Sequence, residues 1–386
     1  MAEEKKSYEN YVGTKRFARV ATPYEAYVEQ QGTPYEVGEV GYYDLRDMPL
    51  GKWDRMNAEG AFFQLSGTGG LQGTYVIQVP GSSATASEKH VYEEVFYVLE
   101  GRGTTEIWAD GQSKPHVFEW QPGSLFSPPM NANHRLVNAT SSPALLLGVT
   151  NAPPVFAIYG SQEFIFNNPH QFTDRYDGSS DFFKEQALGT NPINGRALNK
   201  GNILPDTIHS EVPLDGQRGE GHRAYFWNMS GNKFMGFVSE YPSGGYTTSH
   251  AHASGPMILC LSGKGYSITW PREAGTTPWQ NGMGHLVKRQ DYKAGGIVSA
   301  APGDENWFHG HFGASPDPLR VIAFLGGHPR KTVGLPGEVR IQQNEDIKAG
   351  GRTIEYRDED PMVRQMFEEQ LAKVGAKFSM PESIYT

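Results

Sequence analysis

Short apolar runs separated by Gly, Pro and Asp-Gly fill the chain from about residue 73 onward. Val95–Leu99 and Thr104–Trp108, the latter running into the Asp110-Gly111 turn, have the length and residue types of strands joined by hairpins. A second strand-rich block spans about 226 to 328. Helical signals are confined to the two ends. Thr22-Pro23-Tyr24-Glu25 reads as a capping box with Pro in the first turn, and Gly32 falls just past the end of that short helix. Near the other end, Pro361 opens a stripe of Val363, Met366, Phe367, Leu371 and Val374 that stops near Gly375, the pattern of a helix packed on the strands. Residues 33–72 are aromatic but irregular in pattern and are expected to form an arm on the strands or on a partner subunit. Residues 151–225 are rich in Asn, Pro, Asp and Gly and read as a connector, with Phe164–Phe166 as one short strand.

At 386 residues the chain is long enough for two domains with cores of their own. Its 46 Gly and 26 Pro, with 12% aromatic residues, suit strands and turns better than helices. A net charge of −9 leaves no basic surplus to neutralise phosphates, which argues against a nucleic-acid partner. Cys260 is the single cysteine, so an intrachain disulfide framework and a cysteine-based zinc cluster are both excluded. Its place in Met257–Leu261 predicts a buried strand thiol. The N-terminal Met-Ala-Glu-Glu-Lys-Lys is charged and lacks an apolar signal core, and no apolar run nears the roughly 20 residues of a bilayer span. A soluble cytoplasmic protein without a membrane partner is expected.

An internal repeat organises the strands. Pro80, Gly101, Gly103 and Trp108 lie at a constant offset of 162 from Pro242, Gly263, Gly265 and Trp270. Gly123 and Pro129 match Gly296 and Pro302 at an offset of 173, and His134 matches His309 after two more inserted residues. Each copy then carries two motifs. The first copy has Glu88-Lys-His90, Glu94 and Gly101, then Gly123, Pro129, His134 and Asn138. The second has His250-Ala-His252 and Gly263, then Gly296, Pro302, His309-Gly-His311.

These motifs resemble the paired motifs of the cupin superfamily over about 75 residues of each copy. The resemblance implies an all-β bicupin: a first jelly-roll barrel at 73–150, a connector at 151–225 and a second barrel at 226–328. An N-terminal arm (1–72) and a C-terminal extension (329–386), each with a short helix, flank them. The superfamily includes gentisate-type dioxygenases, oxalate decarboxylases and quercetinases, so the resemblance leaves the reaction open.

Strand geometry explains the histidines. Residues i and i+2 face the same side, so His250 and His252 project together into one barrel while His309 arrives from another strand. Three neutral imidazoles suit a divalent metal ion, Fe, Mn, Ni, Cu or Zn, and the superfamily resemblance implies Fe(II) foremost. Pro256 stands where the motif often has Glu. The expected centre is therefore three-histidine, as in gentisate and thiol dioxygenases, and its retained positive charge favours an anionic chelating substrate. His311 shares the parity of His309 and is a fourth ligand or a base beside the metal. In the first copy Glu88, His90, Glu94 and His134 form a second candidate set for Mn or Fe. Because Glu88 breaks the motif there, that barrel is expected to be degenerate and chiefly supportive.

Other candidates are Arg320, as a clamp for a substrate carboxylate, and Glu240, as a nearby base. Tyr266 and Trp270 read as core packing. The chain has no phosphate loop ending in Lys-Ser/Thr, and no Gly-x-Ser-x-Gly elbow. Gly67-Thr-Gly69-Gly70 lacks the strand-to-helix setting of a dinucleotide site. The expected function is an iron-dependent dioxygenase using dioxygen on a small anionic substrate, within a homo-oligomer. The alternatives are a non-oxidative Mn or Zn enzyme (decarboxylase, isomerase or hydrolase) and a non-catalytic binding protein.

Overall fold

The computed structural model describes residues 21–192, 194–216, 218–229, 232–252, 255–303, 307–326 and 345–386. The charged N-terminal stretch and residues 329–344 of the C-terminal extension lie outside the described residues. Helix α1 (Pro23–Gln30) begins with the expected capping box: Thr22 accepts from the Glu25 amide, and Glu25 accepts from the Thr22 amide at 2.8 Å. The first half then builds strands β1 (Ala58–Gln64), β2 (Gly73–Val79), β3 (Glu94–Glu100), β4 (Gly103–Trp108), β5 (His116–Trp120), β6 (Asn133–Asn138) and β7 (Ala144–Thr150). Helices α2 (Ala152–Tyr159) and α3 (Gln162–Phe166) follow. The second half supplies β8 (Arg223–Asn228), β9 (Phe234–Tyr241), β10 (His250–His252), β11 (Met257–Ser262) and β12 (Lys264–Trp270). After these come β13 (Lys288–Lys293), β14 (Ile297–Ser299), β15 (Trp307–Gly313), β16 (Leu319–Gly326) and helix α4 (Pro361–Val374).

Each half is an eight-stranded sheet facing a four-stranded one. In the first, β2-β7-β3 continues into the short strand Leu125–Phe126, opposite a sheet ordered Ser83–Ala84, β6, β4, β5. In the second, β9-β16-β11-β14 faces β10-β15-β12-β13, the same order at equivalent positions. The repeat extends to an irregularity. Pairing skips Leu99 in the first copy and Leu261 in the second, residues that stand at the offset of 162.

The two eight-stranded sheets pack on each other through one apolar core. Strand alternation shows how. Leu145, Leu147 and Val149 enter this shared core, while Ala144 and Leu146 enter the first barrel's own. Ile322 and Phe324 enter it from the other side, while Leu319, Val321 and Ala323 fill the second barrel. Both faces of β7 and β16 are thus buried, which is why they read as continuous apolar runs. Exchanged segments reinforce the contact. Gly41–Tyr42 pairs with β14 of the second barrel, and Ile203–Leu204 pairs with Leu125–Phe126 of the first.

Two expectations fail here. Residues 33–72 are not irregular: β1 is a full strand of the first sheet, and Tyr35–Val37 and Gly51–Trp53 pair with it. Burial on both faces (Phe62 in one core, Phe63 in the other) erased the alternation that marks a strand. Phe164–Phe166 is not a strand but part of α3, because the Ser161 hydroxyl caps the Phe164 amide and nucleates a helical turn.

The C-terminal segment packs on the second barrel as expected. Val363, Phe367 and Leu371, an i, i+4, i+8 row of α4, are buried against Tyr246, Tyr266 and Phe312. Met366 and Val374 fall off this row. Upstream of α4 the chain lies along β10: the Ala251 amide donates to Arg352 O and the Ile354 amide to Ser249 O, both within 2.9 Å. Cys260 is buried, Trp270 donates its indole to Gly275 O, and Tyr266 stacks on Phe312, so both aromatics are packing residues. Among the described residues no helix is long and apolar enough to cross a membrane.

Glu359 ties this segment down, accepting from Tyr246 Oη and Ser249 Oγ, each at 2.8 Å. Burial raises its carboxyl to about 8, against an unfolded value near 4.5. Between those values the folded chain holds a proton that the unfolded chain releases, so this group's contribution falls as pH rises from 4.5 to 8. Relative to the parent, Glu359→Gln is expected to gain roughly 2–4 kcal/mol in urea unfolding between pH 5 and pH 8. Identical pH dependence of the two proteins contradicts this.

Candidate metal centres

β10 pairs antiparallel with β15 so that His250 lies directly opposite His309. His252, two residues on, shares the face of His250. Ring centroids of His250 and His309 are 4.2 Å apart, and those of His252 and His309 4.4 Å. One ring nitrogen from each of the three lies within 4.8 Å of the others. Nδ1 of His250 is 3.1 Å from Thr248 O, which fixes that tautomer and leaves Nε2 free to bind. Nδ1 of His309 is buried without a hydrogen-bond partner. Burial, then the neighbouring charges, holds His250 and His309 well below the ordinary imidazole value. Convergent and partly unsatisfied imidazoles, with His250 and His309 held neutral, fit a divalent metal.

His311 also faces the interior, but it is not part of this group. Its ring is 5.5 Å from that of His309, and its Nδ1 lies 3.5 Å from Tyr292 Oη. Burial, with His252 and Arg218 nearby, lowers it to about 3.

Arg320 and Glu240 are elsewhere. They pair across β9 and β16, with Nη2 to Oε2 at 2.6 Å, and the guanidinium also donates to Ile208 O and Ser210 O. Arg320 shares the parity of Ile322 and Phe324, which point into the core between the barrels. Its donors are occupied on the far side of the sheet, so the clamp and base roles expected for these two residues do not survive.

The first barrel assembles all four of its candidates. Glu88, His90, Glu94 and His134 present ligand atoms within 4.8 Å of one another. His90 Nε2 is 3.2 Å from Glu94 Oε2, and His134 Nε2 is 3.5 Å from the same oxygen. Both Nδ1 atoms face carbonyls, Tyr92 O at 2.9 Å and Ala132 O at 3.1 Å. Burial opposes the charge on Glu94, but the hydrogen bonds of His134 and His90 outweigh it and hold the carboxyl well below its usual range. Substituting Glu for the motif His at 88 has therefore not emptied the set. Two neighbours carried no motif signal: Arg55, 2.7 Å from Glu88 Oε2, and Tyr75, whose hydroxyl donates to Glu94 Oε1. This group is sealed. His90 stacks on Tyr92 at 3.6 Å, and the adjoining void, walled by Tyr24, Tyr27, Trp53 and Tyr75, holds about 10 Å³. That is at the lower limit for a single water.

Comparison with known proteins agrees with the first barrel: residues 74–150 match the family model described as Cupin domain. No curated protein matches the chain. Among solved structures it is similar to a tryptophan-to-tyrosine variant of oxalate decarboxylase from Bacillus subtilis, at 11% identity and a TM-score of 0.47, covering 75% of this chain and 77% of that one. A glutamate-to-alanine mutant of the same protein gives 12% identity and a TM-score of 0.46 over the same shares. Such similarity is too distant to carry chemistry from one chain to the other.

Because the two groups share no residue, their metals are expected to be lost independently. By elemental analysis, His250→Ala removes one equivalent and His90→Ala the other, with β-sheet circular dichroism retained. Full metal retention in His250→Ala contradicts the second centre.

Proposed function

We propose that the chain is a bicupin metalloenzyme that oxidises a small anionic substrate with dioxygen at His250, His252 and His309. One observation carries the reading: three imidazoles converge inside a barrel, with no carboxylate among them in the described residues. An iron(II) ion held there would supply open positions for a chelating substrate and for dioxygen. An ion held by three imidazoles alone would keep its full positive charge in a low-dielectric interior, which favours an anion. The chain contributes rigidity: β10 is pinned between β15 on one edge and residues 352–354 on the other. The sealed Glu88, His90, Glu94 and His134 group fits a supporting role.

The test is oxygen uptake by the iron-loaded chain, screened over 2-hydroxy acids, diketones and aromatic acids. Uptake is expected with a member of this set and is expected to fall at least about 100-fold in His250→Ala, beyond what loss of a supporting residue around a metal costs. Turnover without oxygen consumption contradicts the oxidative reading in favour of Mn or Zn acting as a Lewis acid.

A further inference from the structure

Another arginine, Arg218, is carried on a hairpin packed against the chain that leads into His250. The segment around Leu214–Arg223 is a hairpin closed by the Leu214–Arg223 bridge and by the amides of Asp215 and Gly216, both donating to His222 O. Its base is anchored. Asp215 accepts two bonds from Arg196, each at 2.7 Å, and lies 3.3 Å from His222 Nδ1. Its tip rests on the chain leading into His250. A Cβ on Gly219 would meet Tyr356 Oη at 2.3 Å and Tyr246 O at 3.3 Å, so only glycine lets the backbone come this close. Gly216, Gly219 and Gly221 all have positive φ, so the tight turn that presents Arg218 is built on residues that adopt it without strain.

A cavity of about 670 Å³ opens on one side of this hairpin, lined by Asp215, Gly216, Gly219, Glu220, Thr248 and Thr353 among others. Arg218, set among those lining residues, does not face it. Its Nη1 is buried and has no hydrogen-bond partner. A buried cationic donor left unpaired is costly, and an anion brought to it removes that cost. His222, at the other arm of the hairpin, stacks on Tyr241 of the second barrel's core, with ring centroids 5.0 Å apart. The tip meets Tyr246, in the chain that leads into His250. The hairpin that carries Arg218 is therefore packed on the barrel that holds the three imidazoles, and the Arg218 charge opposes protonation of His250, His309 and His311.

We propose that Arg218 binds the carboxylate of the substrate at the three-histidine centre. The guanidinium offers paired donors matched to a carboxylate, while a hydroxyl or carbonyl of the same molecule reaches the metal position. This rests on reading that centre as a metal site for a small anion, and the two ideas fail in different ways below.

The experiment loads the full chain with cobalt(II) and titrates glycolate and its neutral amide, glycolamide, following the cobalt absorption bands. The response is assigned to the second centre by its loss in His250→Ala. Glycolate affinity is expected to fall about 10- to 100-fold in Arg218→Met. Partial recovery is expected in Arg218→Lys, with glycolamide affinity and cobalt content unchanged in both. Equal loss for glycolate and glycolamide, or unchanged glycolate affinity with cobalt retained, overturns the assignment of Arg218. Absence of a His250-dependent cobalt signal in the parent protein overturns the reading of the centre itself, and Arg218 with it.

Discussion

The register of one short strand pair governs how the second barrel's histidines meet. His250 sits opposite His309, and His252 opposite Trp307. Directly opposed residues of an antiparallel pair bring their Cβ atoms to about 4.5–5.5 Å, close enough for imidazoles to share an ion. A slip of one residue would turn His250 and His252 toward the face that carries Phe308 and Phe312. β10 is only three residues long, so its pairing alone is a weak constraint. The C-terminal segment supplies the rest, through backbone bonds at Ser249 and Ala251 and through Glu359 on Tyr246 and Ser249. The tail is thus part of what holds the histidines, although it contributes none of them.

Two barrels of one topology carry two unlike donor sets. The first combines two carboxylates with two imidazoles, with Arg55 beside Glu88, and is closed by aromatic rings. The second has three imidazoles, with Pro256 where the first has Glu94, and a hairpin with a buried, unpartnered arginine is packed on the same barrel. The same scaffold therefore offers a charge-balanced sealed centre and a cationic one. That contrast is electrostatic rather than topological, and it is the ground on which substrate chemistry is proposed for the second barrel.

Much of this was legible in the sequence, for a physical reason. Strand parity makes His-x-His a statement about one face, and the offset of 162 carried that statement from one copy to the other. The offset holds even for the bulged Leu99 and Leu261. The stretch 33–72 carries no strand signal because β1 is buried on both sides, which removes alternation. Phe164–Phe166 is ambiguous in sequence because an apolar run, a cap and a following Asn compete at that length. Arg320 and Arg218 show the sharpest limit. Arg320 sits on a barrel strand, yet its parity sends it to Glu240. Arg218 sits in a glycine-rich stretch with no motif to mark it, and only folding brings the neighbouring Gly219 against Tyr246, in the chain leading to His250.

An anomalous difference map from crystals of the iron-loaded chain tests the central claim most directly. A peak is expected in the second barrel at about 2.0–2.2 Å from one nitrogen each of His250, His252 and His309, with no protein carboxylate in its shell. A peak confined to the first barrel, or one in the second barrel bound by fewer than these three histidines or by a carboxylate, contradicts it.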